Sequence, residues 1–130
     1  MLVTELEQRY QMREHSGTVK FLAFVNCGLM SAYRDAVQLA QQTGETPDTG
    51  LVRRLAFRPG VATKMEQEVT SDLGVFLRAI LNNGTKEAYE FTEINRSVSG
   101  GVSLQDDWWG RPDNTVGLAR VINGLSSDAR

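Results

Sequence analysis

Four carboxylates stand in pairs two residues apart, Glu5 with Glu7 and Glu66 with Glu68. Two carboxyl groups about 5–9.5 Å apart are the working pair of glycoside hydrolysis, one protonating the leaving oxygen while the other acts as base or nucleophile. On a strand that spacing is automatic, because residues i and i+2 point to one face about 6.6–6.8 Å apart. No pocket signature surrounds either pair, so the spacing alone does not make an acid–base site. The remaining inventory is short. His15 is the only histidine and Cys27 the only cysteine. A lone imidazole and a lone thiol leave no zinc cluster, no internal disulfide and no histidine-based triad. His15 falls in Glu14-His15-Ser16-Gly17, which reads as a compact turn. No catalytic residue, metal or cofactor is expected.

The elements that carry these side chains are written in alternation. Near 2–13, Leu2, Thr4, Leu6, Gln8 and Tyr10 share one face, and Glu5, Glu7 and Arg9 share the other. Near 17–27, Val19, Phe21, Ala23 and Val25 oppose Lys20, Leu22, Phe24 and Asn26. Near 60–70, Val61, Thr63, Met65, Gln67 and Val69 oppose Ala62, Lys64, Glu66 and Glu68. Near 73–82, Val75, Leu77, Ala79 and Leu81 oppose Arg78, which is flanked by Phe76 and Ile80. Near 89–104, Ile94, Val98, Val102 and Leu104 oppose Glu93, Asn95, Ser97, Ser99 and Ser103. Near 115–123, Val116, Leu118 and Ile122 keep step. A period of two places one side of each strand in an apolar medium and the other in water.

Turn chemistry separates these strands. Ser71-Asp72 with Gly74 predicts a tight turn, and Asn83-Gly84 lets the next strand run antiparallel. Trp108 and Trp109 stand beside the breakers Gly110, Arg111 and Pro112 in the last connection. Pro59-Gly60 is placed at the start of the third strand, where a missing amide does least harm. One segment breaks the pattern: from 31 to 43, Tyr33, Ala36, Val37 and Ala40 fall three and four apart, a helical spacing. Ser31 is a candidate cap for this helix and Gly44 its terminator. The connection from Gly28 to Arg58 is therefore long. It either folds over or into something, or is a surface excursion.

Composition sets the outer bounds. The chain has 130 residues, room for one domain, and a net charge of −2 gives no electrostatic case for nucleic acid. Mean hydropathy is −0.30 and no run approaches the ~20 apolar residues of a membrane helix. Outer-membrane barrels look the same by these measures, because only alternate strand residues are apolar. No basic, apolar-cored export signal opens the chain. Six consecutive antiparallel strands remain, with short connections near His15, Asp72 and the tryptophans alternating with longer ones. Short turns at one end and long loops at the other is the asymmetry of bacterial outer-membrane barrels. A soluble β-rich module, such as a small lipocalin-like barrel, is the alternative, with its apolar faces turned inward.

The run from Glu90 to Ser126, FTEINRSVSGGVSL followed by WGRPDNTVGLARVINGLS, resembles the carbohydrate-selective porins of bacterial outer membranes. VKFLAFVN, SAYRDAVQLA, LVRR and DLGVFLRA resemble the same family in the same order, so the similarity covers nearly the whole chain. The resemblance implies an all-β fold, an antiparallel meander forming an arc of a transmembrane barrel with one short helix in a long loop. It implies passive diffusion of mono- and oligosaccharides, an outer-membrane lipid surround, and no enzyme activity. The chain resembles an interior-to-late portion of the family, whose members are longer, carry an export signal and continue beyond the point matching Arg130. Six strands would leave two unpaired edges, so this portion alone is not expected to form a working pore.

Two sets of residues follow. Val19, Phe21, Val25, Val61, Met65, Val75, Leu77, Leu81, Val98, Val102, Val116 and Leu118 are expected against lipid. Glu5, Glu7, Arg9, Lys20, Lys64, Glu66, Glu68, Arg78, Glu93 and Asn95 are the candidate pore lining, although a solvated sheet face would carry the same charges. Their mixed signs suit sugar hydroxyls and favour neither ion strongly. Trp108 and Trp109 are expected at the membrane interface, or packed beneath their turn. Two positions depart from the family pattern: Cys27 stands where a polar or basic residue is expected, and Arg120 where glycine is usual. If Arg120 shares a face with Val116, Leu118 and Ile122 it points at lipid, at about 2–4 kcal/mol at mid-membrane and less near the interface; otherwise its strand is shifted, or it lies near a headgroup, or this copy is drifting.

Overall fold

The computed structural model describes residues 1–87, 94–105 and 114–126. Its strands are β1 (Leu2–Met12), β2 (His15–Met30), β3 (Arg54–Glu68), β4 (Leu73–Asn82), β5 (Arg96–Gln105) and β6 (Thr115–Gly124). They form a single antiparallel sheet in which spatial order equals chain order. The helix α1 (Tyr33–Thr43) and a 3-10 turn (Thr49–Val52) lie in the β2–β3 connection. Among the described residues β1 and β6 are paired on one side only. Four of the strands have 10 or 11 residues, the length that crosses a bilayer at a barrel's tilt. β2 and β3 have 16 and 15, and their surplus, Asn26–Met30 against Arg54–Arg58, extends past their neighbours at the long-loop end.

The β1–β2 turn differs from the expected one. It is Arg13-Glu14, with φ of 52° and 72°, flanked by the pair Met12↔His15. Two successive left-handed residues make the two-residue hairpin turn whose twist matches the strands. Ser16 and Gly17 belong to β2 instead. Gly17 serves packing, since a Cβ there would stand 2.4 Å from Cζ of Tyr10. The β3–β4 turn is held by the Thr70 hydroxyl, which accepts from the amides of Asp72 and Leu73.

Pro59 also departs from expectation. It lies inside β3, opposite Val25, rather than at the strand's start. A proline is tolerated there because β4 ends beside it, so few ladder bonds depend on its missing donor. Ser31 does not cap α1. The N-cap is Ala32, with no side-chain cap bond, and Ser31 is fully buried with its amide committed elsewhere. Gly44 does end the helix, in the left-handed conformation with its N–H donating to the Ala40 carbonyl.

Among the described residues no second layer covers the sheet. The buried apolar residues among those described are Met30, Ala36 and Ala40, all at the long-loop end. Phe21, Leu77 and Leu118 are 55%, 50% and 76% exposed, so no other described part of the chain closes an interior against that face.

Candidate functional site

Strand register sorts the side chains. Leu6 pairs with Phe21, Phe21 with Thr63, Thr63 with Ala79, Ala79 with Val98 and Val98 with Ile122. Paired residues project to the same side, so this row and its i±2 neighbours form one face. All twelve residues expected against lipid fall on it: Val19, Phe21, Val25, Val61, Met65, Val75, Leu77, Leu81, Val98, Val102, Val116 and Leu118. So do Cys27 and Arg120.

The other face carries the charges. One transverse row reads Glu7, Lys20, Lys64, Arg78, Ser99 and Val121. Glu5, Arg9, Glu66 and Glu68 occupy flanking rows of the same face. Lys20 bonds Glu7 and reaches Glu5 at 3.5 Å, while Arg9 Nε meets Glu7 at 2.5 Å. Lys64 pairs with Glu66 at 2.5 Å. Glu68 accepts from the amide and hydroxyl of Ser16, at 3.1 and 2.9 Å, and lies 3.5 Å from Nδ1 of His15. The carboxylates therefore have cationic or hydrogen-bonding partners along an open face. A groove of about 350 Å³ runs beside them, lined by Thr18, Glu66, Glu68, Phe76 and Ser103 among others. Glu93, Trp108 and Trp109 lie outside the described residues.

Asn95 has a different setting from the other lining candidates. It is buried at 4% exposure, and its Oδ1 accepts from Arg58 Nη2 at 2.6 Å. Arg58 Nε also donates to the Asn83 carbonyl at 3.0 Å, and Ser126 Oγ donates to the Gly84 carbonyl at 2.6 Å. Asn82 adds a bond from Nδ2 to the Ile94 carbonyl. This knot joins β3 to the ends of β4 and β6.

A second knot secures the long β2–β3 connection. Glu87, 7% exposed, accepts from Arg53 Nε at 2.7 Å and from the Ser31 amide at 3.2 Å, and the Ala32↔Lys86 bridge continues the pairing. Burial opposes ionisation of Glu87, but Arg53, Thr49 and Ser31 together hold its carboxyl below the ordinary value of 4.5. The hydrogen bond and charge of Glu87 in turn raise Arg53. Asp35, in the first turn of α1, meets Arg54 Nη2 at 2.6 Å. Arg54 lies on the charged face by register, so the helix is tied to that side of the sheet.

Sequence reasoning did not single out Arg53, Arg58 or Glu87 as a set. Their partners come from segments 25 to 56 residues away, and no local spacing announces them.

A family model described as carbohydrate-selective porin, OprB family, matches residues 1–130, the whole chain. The chain belongs to the carbohydrate-selective porin family. No curated protein and no solved structure matches it. Carbohydrate-selective porins are outer-membrane channels of bacteria and not an enzyme family, in agreement with the six-stranded antiparallel meander. No helix among the described residues is long and apolar enough to cross a membrane.

Proposed function

We propose that residues 1–130 form one arc of a porin barrel through which mono- and oligosaccharides diffuse passively. The charged face lines the passage and the apolar face meets outer-membrane lipid. One observation carries this: the register gathers the lining candidates of β1 to β4 on one face and every apolar candidate on the other. In lipid an unpaired strand edge cannot be hydrated, so the free sides of β1 and β6 call for further strands. By itself the chain is not a working pore. A soluble β-rich module would need an interior for Phe21, Leu77 and Leu118, which are exposed. Sugar hydroxyls find both donors and acceptors on the lining, which has charges of both signs.

Cysteine accessibility tests the two faces. In a Cys27→Ser background folded in zwitterionic detergent micelles, a membrane-impermeant thiosulfonate should label Thr18→Cys and Ser99→Cys but not Phe21→Cys or Val98→Cys. Labelling of the latter pair would overturn the assignment. Sugar-dependent swelling of vesicles holding this chain alone would count against the arc.

A further inference from the structure

The charged row is not evenly neutralised. Lys20 sits directly opposite Lys64, and Lys64 directly opposite Arg78. Like charges paired across strands destabilise a sheet unless something offsets them. Lys20 has Glu5 and Glu7, and Lys64 has Glu66. Arg78 has no carboxylate among the described residues. Its guanidinium lies 5.8 Å from the centroid of the Phe76 ring, two residues back on the same face. Ring and guanidinium orient one another, leaving the planar fork of donors exposed at the middle of β4. Ser99 faces it from β5, and Ile80 continues the apolar strip along β4.

We infer that Arg78 is an oxyanion subsite of the passage, taking sugars that carry a carboxylate or phosphate group. This rests on the charged face being the lining. A guanidinium matches the two oxygens of either group in bidentate fashion, which an ammonium does not. Ser99 offers a hydroxyl to the ring substituents. Phe76 and Ile80 present apolar surface to the C–H side of a pyranose. Charge, hydroxyl and apolar strip meet on the adjacent strands β4 and β5, which suits an acidic sugar better than a bare anion or a neutral sugar.

The test is a titration of the full chain, folded in zwitterionic detergent micelles with 15N-labelled arginine. The Arg78 Nε resonance is identified by its loss in Arg78→Gln. Glucuronate and glucose 6-phosphate should each shift it saturably, at lower concentration than acetate or glucose. Arg78→Gln should weaken glucuronate binding, read at the Ser99 amide, about two- to fivefold, the range for an exposed ion pair. The difference should shrink as salt rises. A response to only one of the two acidic sugars narrows the subsite to carboxylate or to phosphate. No shift with either, or an equal shift with acetate, overturns the inference. Binding in micelles does not require a closed barrel, so failure here is distinct from failure of the two-face labelling.

Discussion

The side chain of Arg58 supplies the donor that Pro59 lacks. One step beyond the last β3–β4 pair, Gly60↔Asn82, the Asn83 amide donates to the Pro59 carbonyl at 2.9 Å. An antiparallel pair of this kind exchanges two bonds, and the reciprocal one would come from the amide of residue 59. Proline has none. Arg58 Nε bonds the Asn83 carbonyl at 3.0 Å instead, while its Nη2 holds Asn95.

Arg58→Ala should therefore destabilise the folded chain by about 2–3 kcal/mol, because it strands the Asn83 carbonyl and the Asn95 side chain in a buried place. Restoring the amide with Pro59→Ala should recover about 1 kcal/mol of that loss. Denaturant unfolding in micelles checks both. A double variant no more stable than Arg58→Ala would defeat the substitution of one donor for the other.

Glycines of the sheet should differ sharply in their tolerance of alanine. At Gly101 a Cβ would stand 2.4 Å from the Leu118 carbonyl, so β6 itself must move. At Gly17 the obstacle is the end of the Tyr10 ring and the Gln67 side chain, which can swing aside. Gly100 meets nothing closer than 3.3 Å. Expected losses are about 2–3 kcal/mol for Gly101→Ala, about 1 for Gly17→Ala and less for Gly100→Ala. Unfolding midpoints that ranked Gly100→Ala worst would contradict these approach distances.

The anchor at Glu87 should depend on pH. Folding lowers its pKa, so its contribution is complete above the ordinary value of 4.5 and is lost as pH falls through the lower folded-state value. Amide exchange at Ser31 and Glu87, whose N–H groups take part in this junction, should accelerate below about pH 4.5 relative to the mid-strand amides of β2. In Glu87→Gln the acid-dependent acceleration should vanish. Its persistence there would assign the effect to another group.

Arg120 shares the apolar face with Leu118 and Ile122, midway along β6 and opposite Gly100. Placed against hydrocarbon, a guanidinium at that depth costs about 2–4 kcal/mol. Arg120→Leu should raise unfolding resistance in lipid vesicles by about that amount, and by much less in small micelles, where headgroups are near. No gain in lipid would mean that this stretch of β6 faces something other than acyl chains.

The six-stranded plan was legible because a period of two needs no knowledge of tertiary contacts. Val19 to Val25 and Val75 to Leu81 announce their faces locally, and the register only aligns them. The β1–β2 turn was obscured because Arg13 and Glu14 are ordinary residues in left-handed conformation, while Gly17, the nearest turn former, serves Tyr10. The extension of β3 back to Arg54 was hidden behind Pro59-Gly60, a pair that ends strands unless a neighbour compensates. Arg58 is that neighbour. The junction around Glu87 could not be read at all, since its partners Ser31 and Arg53 come from opposite ends of a long connection.

Among the described residues every strand of the sheet bonds only to its neighbours in chain order. Insertion into a hydrocarbon layer can then proceed one hairpin at a time, each addition hiding the row of peptide groups that the previous one left bare. However many hairpins have entered, only two such rows are ever without partners, so the energetic toll of a half-built wall does not climb as it grows.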